Sequence, residues 1–277
     1  MISAAATTNV FEATPTFAAR PGITHVVFDF DGTLSWLRHG WPEIMLEIFL
    51  PLLPRRADDT EPALRESLLA DIYALNGKLT IHQMSRFAER VRERGGTSPD
   101  PETLRQEFQA TLDRNIAERS AQLREGKQRP DDFVVHGGGV LLEKIAARDL
   151  KLFILSGTLE DRVRVESELV GVARFFGARV IGSRLDEAFS KLLHLEQILR
   201  EERIPAANLL AIGDGAVEIE ATKTLGGLAI GVASDETHNG SGVMEPHKRR
   251  ALIVAGADAI IPDYREPDAL LARLLGA

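Results

Sequence analysis

From about residue 134 to the C-terminus, short apolar runs alternate with stretches of helical period. No other feature limits the fold as strongly. "VLLEKIAARD" reads as a helix, "LKLFILSG" as a strand and "EDRVRVESELV" as a helix. "ARVIGS", "NLLAIGDG", "GLAIGVA" and "ADAIIPD" read as further strands, with the helix "KLLHLEQILREER" among them. Thr24 to Phe30 is one more apolar strand near the start. Strands separated by helical connections pair in parallel, so the pattern predicts a doubly wound α/β sheet. In such sheets polar chemistry gathers at the carboxyl ends of the strands.

Residues 41–133 have a different texture. "PEIMLEIFLPLL" reads as a helix ended by Pro54. "PALRESLLADIYAL" places Leu64, Leu68, Ile72 and Leu75 near helical spacing. "TIHQMSRFAERV" opens with Thr80 and Gln83 at capping-box spacing and carries Ile81, Met84, Phe87 and Val91 on one face. "PETLRQEFQATLDRNIAERSAQL" aligns Leu104, Phe108, Leu112 and Ile116. No strand signal interrupts these four helices, which predict a small all-α domain. "RPDDFVVHGGG" then reads as the return linker. The expected organisation is a mobile leader over 1–20, an α/β core over 21–40 and 134–277, and a helical domain over 41–133.

Several classes are excluded early. A net charge of −8 argues against sequence-independent nucleic-acid binding, which needs a basic footprint. The absence of cysteine removes disulfides, thiolate metal sites and a cysteine nucleophile. No run approaches the roughly 18 apolar residues of a membrane span. The N-terminus lacks a basic segment followed by an apolar one, so it does not read as a secretion signal. A cytoplasmic enzyme is the expectation, and nothing in the pattern specifies an oligomeric state.

Four strand ends carry the candidate chemistry. The first ends in Asp29-Phe30-Asp31-Gly32-Thr33, the second in Ser156-Gly157-Thr158, and the fourth in Gly213-Asp214-Gly215 with Glu218 just beyond. Lys191 stands at the start of the helix after the third strand, a better position for binding phosphate than that of its rival Arg184. On a parallel sheet all four ends face one edge. Clustered carboxylates call for a divalent cation, and oxygen-only donors favour Mg²⁺. A lysine and a hydroxyl beside them suit an anion such as phosphate. An aspartate can attack phosphorus, and a second carboxyl can lend a proton to the leaving oxygen.

"VVFDFDGTL", "FILSGT", Lys191 and "AIGDGAVEIE" together resemble the four ordered motifs of the haloacid dehalogenase superfamily. The resemblance covers about residues 21–270, and the core it implies is Rossmann-like with the helical block as a mobile cap. It implies that Asp29 is the nucleophile and Asp31 the general acid/base. Asp29, the Asp31 main-chain carbonyl and Asp214 would hold Mg²⁺. Ser156, Gly157, Thr158 and Lys191 would bind the phosphoryl group. Glu218 stands where the family often has Asp, as either a direct ligand or a support for the ligands.

The resulting expectation is a Mg²⁺-dependent hydrolase of a small phosphate ester, a sugar phosphate first among them. A phosphomutase on the same core and a non-catalytic phosphate-binding module are the alternatives. Asp31 counts against a dehalogenase or a phosphonate-cleaving enzyme, and the cap and chain length count against a phosphoacceptor signalling domain. In the loop "SWLRHGWPE", Arg38 is the candidate contact to the leaving group, and the tryptophans either pack the hinge or join it. The histidines show no metal spacing and read as structural, while "HKRR" at 247–250 reads as a solvated helix face.

Overall fold

The computed structural model describes residues 11–185 and 189–276. Its sheet has seven strands: β1 (Glu12–Ala13), β2 (His25–Phe28), β3 (Lys151–Leu159), β4 (Val180–Ser183), β5 (Leu209–Gly213), β6 (Leu228–Val232) and β7 (Ala259–Ile261). The order is β1-β7-β6-β5-β2-β3-β4, and every pairing except β1 with β7 is parallel. Strands β2, β5 and β6 are buried along their whole length, as expected of parallel strands covered on both faces. Their side chains alternate: Val26 and Phe28 join one core cluster, while Val27 joins Phe153, Leu195 and Leu209 on the other face.

The crossover helices are α5 (Gly138–Ala146), α6 (Glu160–Leu169), α7 (Lys191–Glu202), α8 (Ala216–Leu225) and α9 (Pro246–Val254), followed by α10 (Pro267–Leu275). The remaining block holds α1 (Trp41–Leu52), α2 (Glu61–Ala74), α3 (Thr80–Glu93) and α4 (Pro101–Arg124). Leu64, Leu68, Ile72, Met84, Phe87 and Phe108 bury their predicted faces in one cluster with Phe49 of α1, which stacks on Phe87. Asp100 caps α4 by accepting from the Thr103 N–H, a reason for that helix to begin at Pro101.

Three local expectations need correction. Residues 11–20 are not a free leader. β1 pairs with β7, Thr14 N–H donates to the Asp258 carbonyl, and Glu12 pairs with Arg249, so backbone pairing and charge hold the segment to the sheet edge. Residues 1–10 lie outside the described residues. Thr80 does not cap α3, because Leu79 occupies that position, and Gln83 donates to the Ile72 carbonyl instead. That bond fastens α3 to α2 inside the helical block, where the amide would otherwise be buried without a partner. The 247–250 run is not a solvated face either, since His247 and Lys248 are buried.

Candidate active site

The parallel register sets the site. Phe28 lies level with Ile154 on β3 and Ile212 on β5, so Asp29, Ser156 and Asp214 all emerge at one sheet edge. Asp29 N–H continues the ladder by donating to the Ile212 carbonyl at 2.9 Å. Beyond Asp29 the chain turns: the N–H groups of Leu34 and Ser35 donate to the Phe30 carbonyl, and Gly32 takes φ +73°. A Cβ on Gly32 would stand 2.3 Å from Asp214 Oδ2, so only glycine lets the two motifs approach this closely.

The turn sends the two aspartates to different partners. Asp29 accepts from Lys191 Nζ at 2.7 Å, and the same ammonium reaches Glu218 Oε2 at 2.9 Å. One carboxylate oxygen from each of Asp29, Asp214 and Glu218 lies within 4.8 Å of the others. Asp31 instead accepts from Arg38 Nε and from the Thr158 hydroxyl, both at 2.7 Å. Ser156 is buried, with its Oγ accepting from the Thr158 N–H at 3.1 Å. Gly157 and Thr158 line the cavity above.

Local sequence explains these placements. Ser190 caps α7 and so fixes Lys191 at its first turn, aimed into the edge. Glu218 closes the first turn of α8 through the Gly215 N–H, which donates to its Oε1 at 2.6 Å. Both Glu218 oxygens are therefore committed. Asp29 Oδ2 and Asp214 Oδ1 have no hydrogen-bond donor among the described residues.

Burial and charge compete here. Burial pushes the Asp29 carboxyl well up, Lys191 opposes this, and the Glu218 and Asp214 carboxylates add to the rise. Burial alone would lower the Lys191 ammonium, but Asp29 and Glu218 overcome it and hold Lys191 above the ordinary lysine value. An ammonium between two carboxylates, sealed from water, stays charged.

Sequence reasoning missed a second buried lysine. Lys248 on α9 is fully buried, with Nζ 3.0 Å from Asp214 Oδ2, 3.0 Å from Ser234 Oγ and bonded to Glu236 Oε1. Two lysines thus flank the acidic cluster, one on Asp29 and Glu218, the other on Asp214 and Glu236. The signal was present: Lys248 shares the helical face of the buried Leu252 and Ala255. Glu236 sits in a loop with no such period. Asn76, between α2 and α3, was missed too; its amide donates to the Asp214 carbonyl at 3.1 Å.

Arg38 does not project freely toward a leaving group. Its Nε is held by Asp31 and its Nη2 by Glu166, also at 2.7 Å. Burial would lower its pKa, but the two carboxylates raise it. Trp36 donates Nε1–H to the Asp235 carbonyl, stacks on His39 at 3.7 Å and lines the cavity with Trp41. The cavity has a volume of about 430 Å³ between the sheet edge and the helical block. Asp31, Asp214 and Glu236 form its floor side, and Asn76, Lys78, Gln83, Arg105 and Gln109 its helical side.

A doubly wound sheet with an acid–lysine cluster at its carboxyl edge and a helical block inserted after the first motif defines a Rossmann-like α/β class with a helical cap. The chain belongs to the haloacid dehalogenase-like hydrolases, whose family model matches residues 23–226. A predicted phosphoglycolate phosphatase from Haemophilus somnus is similar in structure: TM-score 0.59, 14% identity, 90% of this chain and 98% of that one covered. A hydrolase of the same family from Deinococcus radiodurans, solved with bound phosphate and sodium, gives 0.57 at 14% identity over 92% and 97%. A β-phosphoglucomutase from Clostridium difficile gives 0.51 at 12% identity over 91% and 97%. At these identities the likeness establishes the shared fold. No curated protein sequence matches. Among the described residues no helix is long and apolar enough to cross a membrane.

Proposed function

We propose that the protein is a Mg²⁺-dependent phosphomonoester hydrolase acting on a small soluble metabolite, with a sugar phosphate as the first candidate. The observation that carries this reading is the Asp29–Lys191 pair at 2.7 Å, buried beside Asp214 and Glu218 under a cavity of metabolite size. Burial and the neighbouring carboxylates push Asp29 up and Lys191 opposes them; a cation held beside Asp29 and Asp214 would add to that opposition and favour the ionised form needed by a nucleophile.

The donor set fits the cation, since all candidate ligands are hard oxygens. Asp29 Oδ2, Asp214 Oδ1 and the Asp31 main-chain carbonyl are the atoms we assign to it. Glu218, with both oxygens committed, supports the ligands from behind. When bound, Mg²⁺ supplies positive charge that relieves the carboxylate repulsion and draws in an anionic phosphoryl group.

The chain's own groups divide the work. Ser156 and the Gly157 backbone receive phosphoryl oxygens, and Lys191 offsets their charge. Asp29 attacks phosphorus, forming its O–P bond as the ester P–O bond breaks, and the Asp31 carboxyl passes its proton to the leaving oxygen. Asp31 then takes a proton from water as the water oxygen bonds to phosphorus, the Asp29 O–P bond breaks, and inorganic phosphate leaves. The helical block closes the site over a substrate of limited size.

The test is phosphate release from sugar, polyol, nucleotide and carboxylate phosphates, with Mg²⁺ or EDTA, using Asp29→Asn as control. Mg²⁺-dependent turnover of a small ester, abolished by Asp29→Asn, is the expected result. Transfer to a second hydroxyl of the substrate without phosphate release would make the protein a mutase instead. A folded protein that only binds the esters would be a binding module.

A further inference from the structure

We propose that Glu166 and Arg38 act as positioning residues for Asp31, dedicating one of its oxygens to proton transfer. The inference rests on the phosphatase reading above and deepens it. Glu166 lies on the inner face of α6 with Val163, one turn before the buried Val170 at the helix C-cap, where an apolar side chain would suit folding better. Its Oε1 accepts from Arg38 Nη2 at 2.7 Å, while its Oε2 is buried with no hydrogen-bond partner. A buried carboxylate left half satisfied costs stability unless its charge serves a partner. The partner is Arg38, whose Nε in turn holds Asp31 Oδ1.

This chain of contacts makes the two Asp31 oxygens unequal. Oδ1 faces a guanidinium, which donates and cannot take a proton. Oδ2 faces the Thr158 hydroxyl, which can rotate and either donate or accept. Oδ2 is therefore the oxygen that gives a proton to the leaving alkoxide and later takes one from water. Without Glu166, the guanidinium is free to swing into the cavity and Asp31 loses its fixed orientation. Thr158 shares the cavity wall with Asp31 and Arg38, so the working oxygen is at the surface that substrate reaches.

The experiment compares kcat/KM for two esters on the Mg²⁺-loaded full chain. One is p-nitrophenyl phosphate, whose leaving group needs no proton; the other is glycerol phosphate or whichever alkyl phosphate wild type turns over best. The variants are Glu166→Gln, which keeps size and removes charge, and Arg38→Met, with Arg38→Lys as the conservative partner. Expected is a loss on the alkyl ester about tenfold or more beyond the loss on p-nitrophenyl phosphate, a part of the roughly 10²–10⁴ that a positioned acid supplies. Arg38→Lys should recover part of that selective loss. Equal losses on both esters, or none, would overturn the assignment while leaving the phosphatase reading intact. A wild type inactive on every ester would overturn both. If Glu166→Gln fails to fold, Arg38→Met decides by the same ratio.

Discussion

Replacing Lys248 by methionine tests whether the second lysine belongs to the site's electrostatics. Methionine keeps most of the side chain's volume and removes only the ammonium. Asp214 and Glu236, whose side chains are each 7% exposed, then lose their shared counter-charge. Breaking a buried ion pair by removing one partner costs about 3–5 kcal/mol. Burial already pushes Glu236 up against the pull of Lys248, so protonation of Glu236 limits the loss toward the lower figure. At about 2–4 °C per kcal/mol for a chain of this size, the melting temperature should fall by roughly 6–20 °C. Urea and thermal unfolding near neutral pH in EDTA would read this directly. Repeating both with Mg²⁺ should restore more stability to Lys248→Met than to wild type, because a cation bound at Asp214 supplies the missing charge. A loss under about 1 kcal/mol, or equal Mg²⁺ effects in both proteins, would show that Lys248 is not the counter-charge of Asp214 and Glu236.

Two groups, the buried Glu166 and the partly buried His39, should give the protein opposing pH slopes. Burial pushes Glu166 up to about 7, so its contribution is fully present below about 4.5 and is lost as pH rises through 7, by at most about 3 kcal/mol. Burial, with Arg119 acting in the same direction, lowers His39 to about 4, so its contribution is present above about 6.5 and is lost as pH falls through 4. The slopes oppose over nearly the same window. Urea titrations across it should therefore show Glu166→Gln losing the fall with rising pH, and His39→Gln losing the opposite trend. At the motif junction, Gly32→Ala forces a left-handed alanine and drives a methyl to within 2.3 Å of Asp214 Oδ2. It should cost about 1–2 kcal/mol in backbone strain alone and weaken Mg²⁺ binding by more than that loss explains, measured by calorimetry beside unfolding.

The sheet was legible because buried parallel strands need continuous apolar runs, and "LLAIG" and "LAIGV" are plain examples. The helical block was legible because Leu104, Phe108, Leu112 and Ile116 keep one period over a long helix. β1 was not, since two residues held by backbone pairing leave no side-chain pattern. At the site, Asp29, Ser156 and Asp214 could be placed together from strand-end position, and Lys191 from its place at the start of the helix after β4. Arg38 was found but its partners were not, because Glu166 comes from a helix far along the chain. Lys248 was obscured by reading its neighbours as a charge run, although its spacing to Leu252 marked an inward face. Glu236 and Asn76 come from loops, where only the folded chain brings a side chain to a site.

If Asp29 is the nucleophile, it carries the phosphoryl group between the two half-reactions. The direct measurement is rapid acid quench of wild type and Asp29→Asn during turnover of the best ester, followed by peptide mass spectrometry. The expected result is one phosphoryl group on the peptide containing Asp29 in wild type. Asp29→Asn should carry none, with turnover reduced roughly a thousandfold or more. An Asp29→Asn protein that releases phosphate at the wild-type rate would rule out Asp29 as the nucleophile.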